Sequence, residues 1–282
     1  MITCLLLLAL IFPLSVEAKI KLEPSGGFST EAGKELNIIP GTSWFWQLQG
    51  ELKDQNVKVY DIDLIDNSIE TIQELQNEGK IVICYFSAGT AENFREGFDQ
   101  IPAEILGEPL PDFPDEFWFD IRDPRTLDLV KERLDLALTK GCDAVEPDNV
   151  DAFQNNSGFP LTAQDQINFN SSIATEAHNR GLSVGLKNAL DIIPDLVDQF
   201  NFAVNEQCEQ FKECDLLNPF IDQGKAVFQA EYKKKFRKGR KRKRLCKAAD
   251  EANRDLVFYN LALDGRLKVY CPSKFTNTPN DL

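Results

Sequence analysis

The sequence predicts an α/β protein built as a single (β/α)₈ barrel of the TIM type, with a catalytic face at the carboxyl ends of its strands. Strand-like and helix-like segments alternate along most of the chain, and eight segments have the apolar pattern of buried strands. Each of these segments finishes in polar or charged residues that a hydrophobic core would reject. Strict alternation indicates a parallel sheet, and eight strands favour its closure into a barrel.

The predicted helices begin and end at recognisable residues. Pro124 starts one helix and Gly141 ends it, while Thr162 stands three residues before Asp165 and caps the next. Strands are predicted at 42–48, 57–63, 80–88, 117–123, 141–149, 182–189, 200–207 and 225–232, and helices at 69–79, 124–141, 161–181 and 245–263. An open doubly wound sheet is the alternative. No Gly-x-Gly-x-x-Gly follows the first strand, which weakens its nucleotide-binding form.

Residues 1–18 are predicted to be a secretory signal peptide, and residues 19–282 a single barrel domain with a basic insert at 233–244. The apolar run CLLLLALIFPL has 11 residues, too few to span a bilayer, and small residues follow it at Val16 and Ala18. A membrane anchor is the alternative, but no second long apolar segment supports it. We therefore expect a secreted, extracellular protein without a membrane segment after signal removal.

The cysteines favour disulfides over a metal site. Six cysteines remain after signal removal, and an even number in an exported chain favours disulfide bonds. Cys208 and Cys214 are close in sequence, and Cys246 with Cys271 would tie down the C-terminal tail, although many other connectivities exist. The spacings are not those of zinc sites, and His178 is the only histidine. No metal or cofactor is expected, with a carboxylate-only divalent site as the alternative.

Charge is unevenly distributed. The mature chain has 44 acidic and 31 basic residues, and ten of the bases lie in the run KKKFRKGRKRKR at 233–244. An acidic body suits a cationic or neutral ligand and repels polyanions, so nucleic acid is not expected as a partner. The basic run is interpreted as a solvated loop, a binding segment for an anionic glycan, a site for a processing protease, or a segment that folds over an acidic cleft.

The segment EPDNVD at 146–151 is the strongest candidate for a functional site. Glu146 and Asp148 are two positions apart on a strand and therefore point to the same side of the sheet. The polar residues at the other strand ends converge on the same face of a barrel. These strand-end residues are Gln47, Asp61, Asp63, Ser87, Asp120, Arg122, Lys187, Asn188, Glu206, Glu231 and Tyr232.

A pair of carboxylates acting on a glycosidic bond is the chemistry that these residues favour, because the chain has no histidine placed to activate a nucleophile. One acid must be ionised and the other protonated. Asn149 and Lys187 would keep Asp148 ionised, so it is predicted to be the nucleophile or base. Glu206 follows an apolar run, so we expect burial to raise its pKa and make it the general acid.

Three further expectations concern neighbouring residues. Glu231 is the alternative candidate for the general acid if Glu206 does not serve. Glu146 is expected to have a supporting hydrogen-bonding role. Trp44 and Trp46 alternate along the first strand and share a side, where indole rings at a barrel mouth would stack on sugars. Packing in the core is the alternative for both tryptophans.

Eight motifs in register resemble the endo-α-1,4-polygalactosaminidase family of glycoside hydrolases over roughly residues 38–232. They are WFWQLQG, VYDIDLID, ICYFSAGTAENFR, FDIR, RLDLALTKGCDAVEPDNVD, AHNRGLSVGLKN, FAVNEQCEQFKEC and GKAVFQAEY. GTAENFREGF and PDEFWF match only loosely, which puts substrate contacts from that loop in doubt.

The resemblance implies a TIM-like barrel, internal cleavage of α-1,4-linked galactosamine polymers, and catalytic acids at Asp148 and Glu206. It also implies binding roles for Asp63, Asp120, Lys187, Asn188 and Glu231. Substrate contacts are further expected from the remaining strand-end and motif positions, namely Trp44, Trp46, Asp61, Tyr85, Arg122, Glu146, Asn149 and Tyr232.

The predicted function is therefore a secreted, endo-acting glycoside hydrolase with a polysaccharide substrate. An unacetylated galactosamine polymer is cationic, which agrees with the acidic body of the chain. A secreted barrel that binds glycan without cleaving it is the alternative. A matrix protein held to polyanions by the basic run is a third interpretation.

Overall fold

Parallel strands form the centre of the fold in the computed structural model, which describes residue 36 and residues 38–271. The predicted signal peptide, residues 1–18, lies outside the described residues. The strands are β1 Trp44–Gln47, β2 Val59–Asp63, β3 Ile81–Ser87, β4 Thr90–Glu92, β5 Leu106–Pro109, β6 Glu116–Phe119, β7 Ala144–Asp148, β8 Ser183–Lys187, β9 Phe202–Glu206, β10 Val227–Glu231, β11 Asp255–Tyr259 and β12 Lys268–Tyr270.

The main sheet has the order β1-β2-β3-β7-β8-β9-β10-β11-β12, and every neighbouring pair except β11 and β12 is parallel. The first parallel strand, β1, contacts the last parallel strand, β11. The Trp44 indole N–H donates to the Asp255 carbonyl at 2.8 Å, and the Trp46 amide donates to the Tyr259 hydroxyl at 3.1 Å. The predicted α/β barrel fold is confirmed.

Helices cover the outside of the sheet. They are α1 Ile69–Asn77, α2 Pro124–Lys140, α3 Ala163–Asn179, α4 Ile193–Leu196, α5 Cys208–Phe211, α6 Asn218–Asp222 and α7 Gly239–Glu251. The predicted end signals hold: Pro124 begins α2, Gly141 ends it with φ +79°, and Thr162 and Asp165 form a capping box on α3. Helices α1, α2 and α3 therefore begin and end close to the predicted positions.

Two predicted elements were wrong. The segment predicted as a barrel strand at 117–123 contributes β6, which belongs to a separate antiparallel sheet of order β4-β6-β5. The helix predicted at 245–263 ends at Glu251, and its second half is β11, the eighth parallel strand. The turn between them contains Asn253 in the left-handed region, at φ +53°. Asparagine tolerates that conformation, so Asn253 is a signal for the end of the helix that the predicted bounds did not take into account.

The basic run at 233–244 is ordered rather than an extended loop. A 3₁₀ turn covers Lys234–Phe236, and the residues from Gly239 onward form the first part of α7. None of its residues, all of which are described, lines the cleft above the barrel. The structure therefore does not support a segment that folds over that cleft.

Three disulfides link the fold, and both suggested pairs are confirmed. Cys208–Cys214 closes the loop after β9, and Cys246–Cys271 joins α7 to the end of β12. The third bond, between Cys84 of β3 and Cys142 just before β7, connects neighbouring strands of the main sheet.

The barrel interior has an aromatic layer. Trp44 stacks on Phe228 with 5.0 Å between ring centroids and meets the edge of Tyr259 at 5.8 Å. All three side chains are buried. Because side chains alternate along a strand, the residues two and four positions further along face the same interior. The charged side chains described below therefore stand above an apolar floor.

Candidate active site

Three neighbouring strands, β7, β8 and β9, each end in a charged side chain followed by a residue with positive φ. The following residue has φ of 61°, 46° and 65° in the three cases. The three pairs are Asp148–Asn149, Lys187–Asn188 and Glu206–Gln207. Residues other than glycine rarely adopt this conformation, and asparagine does so with least strain. The three turns direct the chain away sharply and leave the charged side chains at a common mouth.

Lys187 lies at the centre of the site. Its ammonium nitrogen is 2.9 Å from Glu146 Oε1, 3.1 Å from Asp148 Oδ1 and 3.5 Å from Glu206 Oε2. The side chain is 1% exposed and lies over the Trp46 ring, 4.5 Å from its centroid. Burial alone would lower the pKa of Lys187, but the surrounding carboxylates raise it well above its ordinary value. The lysine is therefore an ammonium ion that holds three carboxylates together.

Asp148 is oriented by donors on both oxygens. Besides Lys187, Oδ1 accepts the Asn149 amide at 2.8 Å, and Oδ2 accepts the Tyr85 hydroxyl at 2.9 Å. Its backbone carbonyl accepts the Gly89 amide at 3.1 Å. A Cβ on Gly89 would stand 1.7 Å from the Asn149 carbonyl oxygen, so only glycine allows this approach of the two loops. The carboxylate is thus fixed in one orientation.

Glu206 faces Asp148 across the lysine. The Tyr232 hydroxyl donates to Oε1, and the Asn188 side-chain amide donates to Oε2 at 3.3 Å. The Asn188 side-chain oxygen in turn accepts the Glu206 amide at 2.9 Å. The Glu206 side chain remains 25% exposed, so its surroundings are more open and more polar than its apolar strand suggested. It can therefore reach a molecule in the cleft.

A second acidic pair lies below Lys187. Asp61 and Glu146 are both fully buried. Burial, followed by the neighbouring Glu146, raises the pKa of Asp61 well above its ordinary value. Burial raises the pKa of Glu146 to about 7, although Lys187 opposes this shift. We interpret Asp61 as protonated beside a Glu146 carboxylate, which gives Glu146 the predicted supporting position. The expected substrate contact from Asp61 is wrong, because its strand position is one layer below the mouth.

A cleft of about 850 Å³ opens above these residues. Among the described residues that line it are nine carboxyl groups and two cations, Arg95 and Lys187. Arg95 is already bound by Asp63 at 2.6 Å, Asp66 at 2.8 Å and Glu92 at 3.1 Å. The nine acids are Asp63, Asp66, Glu92, Asp112, Asp115, Glu116, Asp148, Asp151 and Glu206. The cleft is therefore an acidic surface whose two cations are both paired.

Six of these nine acids were not predicted as site residues, namely Asp66, Glu92, Asp112, Asp115, Glu116 and Asp151. Burial, and then the nearby Asp148, raise the pKa of Asp151 to about 6. Burial raises the pKa of Glu116 to about 7, against a hydrogen bond from Thr90 at 3.0 Å. Asp151 is part of the EPDNVD segment and was visible there as a third acid. Glu116 comes from the loop that matched the family only loosely.

The predicted stacking role of the tryptophans is wrong for Trp44, which is buried in the aromatic layer. Trp46 lines the cleft, but Lys187 covers its ring and leaves the indole buried. The exposed aromatic side chains of the cleft are instead Phe94, 62% exposed, and Phe113, 44% exposed. Both lie in loops outside the main barrel, where periodicity gave no signal.

Three other predicted residues do not reach the cleft. Asp120 and Arg122 follow β6 of the small sheet and pair with each other at 2.8 Å. Glu231 points outward from β10 and accepts the Glu209 amide at 2.7 Å, whereas Tyr232, one position later, contacts Glu206. Adjacent residues of a strand face opposite sides, so only one of the two can serve the interior. Glu231 is therefore not a substitute for Glu206.

The remaining predicted residues lie together. Asp63, Tyr85, Asn149 and Asn188 line the cleft with Asp148, Lys187 and Glu206. Within the described residues, no cluster of three or more His, Cys, Asp or Glu side chains is arranged to hold a metal ion.

A barrel that presents two carboxylates at the carboxyl ends of two strands, one on either side of a third, has the form of a glycoside hydrolase. The sequence profile of glycoside-hydrolase family GH114 matches residues 28–276, and the chain belongs to that family. This confirms the assignment to the glycoside hydrolases that the motifs indicated.

Solved structures agree with this assignment. The crystal structure of Aspergillus fumigatus Ega3 in complex with galactosamine superposes with a TM-score of 0.79. The two sequences are 40% identical, and the match covers 84% of this chain and 98% of the Ega3 chain. The glycoside hydrolase domain of PelA from Pseudomonas aeruginosa is 13% identical, covers 81% and 98%, and has a TM-score of 0.64. The second likeness concerns the fold alone.

Curated relatives match only in part. An uncharacterized protein of Deinococcus radiodurans is 28% identical over 176 residues, which cover 55% of this chain and 57% of that protein. Protein MJ1477 of Methanocaldococcus jannaschii, also uncharacterized, is 28% identical over 170 residues, which cover 54% and 48%. The chain thus spans about half the length of the curated relatives it matches. In the part of the chain that the structure describes, no helix is long and apolar enough to cross a membrane.

The outward position of Glu231 predicts a pH-dependent stability. Burial raises its pKa from 4.5 to about 7, so the folded state holds this proton more tightly than the unfolded chain. Its contribution to stability is therefore present below the unfolded pKa and is lost as the pH rises through the folded pKa. Glu231→Gln should reduce the loss of unfolding free energy between acidic and mildly alkaline pH by about 1–3 kcal/mol.

Urea denaturation across this pH range measures the effect, with the exposed Glu74→Gln as the control. Hydrolytic activity should stay within about twofold of wild type, because the side chain does not face the cleft. An unchanged pH dependence of stability would contradict the raised pKa of Glu231, and loss of activity in a folded variant would contradict its outward placement.

Proposed function

We propose that the protein is a secreted, endo-acting glycoside hydrolase that cleaves α-1,4-linked galactosamine-containing polysaccharide with Asp148 and Glu206. The observation that carries this proposal is the shared contact of both carboxylates with Lys187, at 3.1 and 3.5 Å, at the floor of the acidic cleft. Two carboxylates on one ammonium group are close enough to act on the same glycosidic bond.

The spacing favours a retaining mechanism. Because Lys187 Nζ is 3.1 Å from the Asp148 oxygen and 3.5 Å from the Glu206 oxygen, these two oxygens are no more than about 6.6 Å apart, at the lower limit of the range of about 6.5–9.5 Å of inverting glycosidases. Asp148 attacks the anomeric carbon while Glu206 donates a proton to the leaving oxygen. Glu206 then removes a proton from water, which attacks the anomeric carbon and releases Asp148. Lys187 and Tyr85 orient the nucleophile throughout.

The charge of the cleft supports a cationic substrate. Its nine carboxyl groups exceed its two cations, and both cations are already engaged by acids. An unacetylated galactosamine residue carries an ammonium group, which would replace water beside these carboxylates. The Aspergillus fumigatus relative was crystallised with galactosamine, which supports the same sugar class for this chain. Secretion is supported by the predicted signal peptide and by the three disulfides.

Asp148→Asn should lower hydrolysis of partly deacetylated galactosaminogalactan by about 10³-fold or more, because the amide is a poor nucleophile. Reducing-end release measures the rate, and NMR of the first product should show the retained α anomer. Asp120→Asn is the matched control, since Asp120 lies outside the cleft, and it should remain active. An active Asp148→Asn enzyme would overturn the assigned roles. Binding without cleavage by wild type would favour a glycan-binding protein.

The exposed phenylalanines of the cleft predict a contribution to polymer binding. Phe113→Ala should raise KM for the polymer by about two- to tenfold, with kcat nearly unchanged, because the variant loses apolar contact area against a sugar ring, and about 1.4 kcal/mol corresponds to tenfold. Phe211→Ala, at a position 58% exposed and away from the cleft, is the control. Equal KM values for the two variants would exclude Phe113 as a stacking residue.

A further inference from the structure

One face of α7 presents basic side chains to solvent. Arg240, Lys243, Arg244 and Lys247 are spaced by three and four positions, and all four are exposed. They form a stripe roughly 10 Å long, given the rise of an α-helix. The opposite side of the helix packs into the fold through Leu245, Cys246 and Ala249. We call the four exposed residues the basic stripe.

The basic stripe is not used to stabilise the fold. Within the described residues, no acidic side chain forms an ion pair with Arg240, Lys243 or Arg244, whereas Lys247 pairs with Glu251 at 2.6 Å. Other bases of the same segment do have structural partners. Arg237 donates to the carbonyls of Tyr232 and Tyr259, and Arg242 donates to the Tyr270 carbonyl at 2.5 Å.

The stripe is also unfavourable for the helix that carries it. The first turn of α7 has no acidic residue, and its N-cap, Lys238, makes no side-chain capping bond. Positive charges near a helix N-terminus oppose the helix dipole, and like charges four positions apart repel each other. Outside the run 233–244 the mature chain has 21 bases and 44 acids, so this positive surface is exceptional. A bound polyanion would relieve each of these unfavourable interactions.

We propose that the basic stripe of α7 binds an acidic polysaccharide, a linear polymer bearing repeated carboxylate or sulfate groups. Several aligned cations suit a chain of regularly spaced anions better than a single small anion. An anionic membrane is disfavoured, because the apolar side of α7 is buried and cannot insert. Single-stranded nucleic acid is disfavoured, because the stripe contains no aromatic side chain on which bases could stack.

The basic stripe and the cleft are separate surfaces of the protein. The basic run begins directly after β10, beside Tyr232, whose hydroxyl contacts Glu206 in the cleft. None of the four residues of the basic stripe lines the cleft, so a polyanion bound there would hold the protein to an acidic matrix and leave the cleft free for a cationic chain. The helical conformation of residues 240–244 also disfavours the predicted protease cleavage, because proteases bind extended segments.

The test compares two triple variants of the full chain with the same change in net charge. Arg240→Gln/Lys243→Gln/Arg244→Gln removes three stripe residues and keeps helix-forming side chains. Lys131→Gln/Lys212→Gln/Arg266→Gln removes three bases elsewhere on the surface. Affinity for heparin and for polygalacturonate is measured over a range of salt concentrations, with phosphatidylserine vesicles as a further probe. Hydrolytic activity on the neutral or cationic substrate is measured in parallel.

We expect the stripe variant to bind both polysaccharides at least about tenfold more weakly, with a shallower salt dependence, and to keep wild-type hydrolysis. The control variant should change by less than about twofold. Equal losses in both variants, or no binding by wild type, would overturn the proposal. Vesicle binding as tight as polysaccharide binding would replace the polysaccharide by a membrane. Because hydrolysis is measured separately, these outcomes do not depend on the proposed activity.

Discussion

A single buried ammonium group, that of Lys187, organises the site. Burying a charge is costly unless it is paired, and here three carboxylates lie within 3.5 Å of the ammonium nitrogen, which donates a hydrogen bond to Glu146. Two of these acids, Glu146 and Asp148, come from β7, and the third, Glu206, comes from β9 on the other side of the lysine strand. Removing any member would leave the others uncompensated. The lysine therefore fixes the distance between the two proposed catalytic groups.

The barrel supplies the layers that make this arrangement stable. Trp44, Phe228 and Tyr259 fill the lower interior with aromatic rings, and Trp46 separates them from the ammonium group. Burial and the neighbouring Glu146 raise the pKa of Asp61, which favours its neutral form and so limits the negative charge under Lys187. Residues with positive φ then end the strands abruptly. These layers form because side chains two positions apart on each parallel strand face the same interior.

The sequence was sufficient for the fold class, for the parallel order of seven of the eight barrel strands and for three of the acids that line the cleft, Asp63, Asp148 and Glu206. Asp148 and Glu206 could be found because each ends an apolar strand of regular alternation. Glu231 also ends such a strand. Because successive side chains of a strand face opposite sides of the sheet, an error of one residue in alignment is enough to place Glu231 on the wrong side. Strand β11 was not predicted, because its apolar residues extend the apolar pattern of helix α7. Only Asn253, with its positive φ, indicates that the helix ends before the strand.

The walls of the cleft were harder to predict than its floor. Phe94, Phe113 and Glu116 come from the small sheet and its loops, where neither period nor polarity indicates which way a side chain points. The burial of Trp44 depends on the position of β1 along the barrel axis. That position is set by pairing with the neighbouring strand and cannot be read from the local sequence. Local patterns therefore located the charged groups, while tertiary packing decided which aromatic rings reach solvent.

NMR spectroscopy of the Lys187 side-chain nitrogen through a pH titration tests the central claim most directly. Lysine labelled with nitrogen-15 provides the signal, and its absence from Lys187→Arg assigns it. The surrounding carboxylates raise the pKa of Lys187 well above its ordinary value despite burial, so an ammonium signal should persist from acidic into alkaline solution. A neutral amine at neutral pH would show that the lysine does not hold the carboxylates together, and would contradict the account.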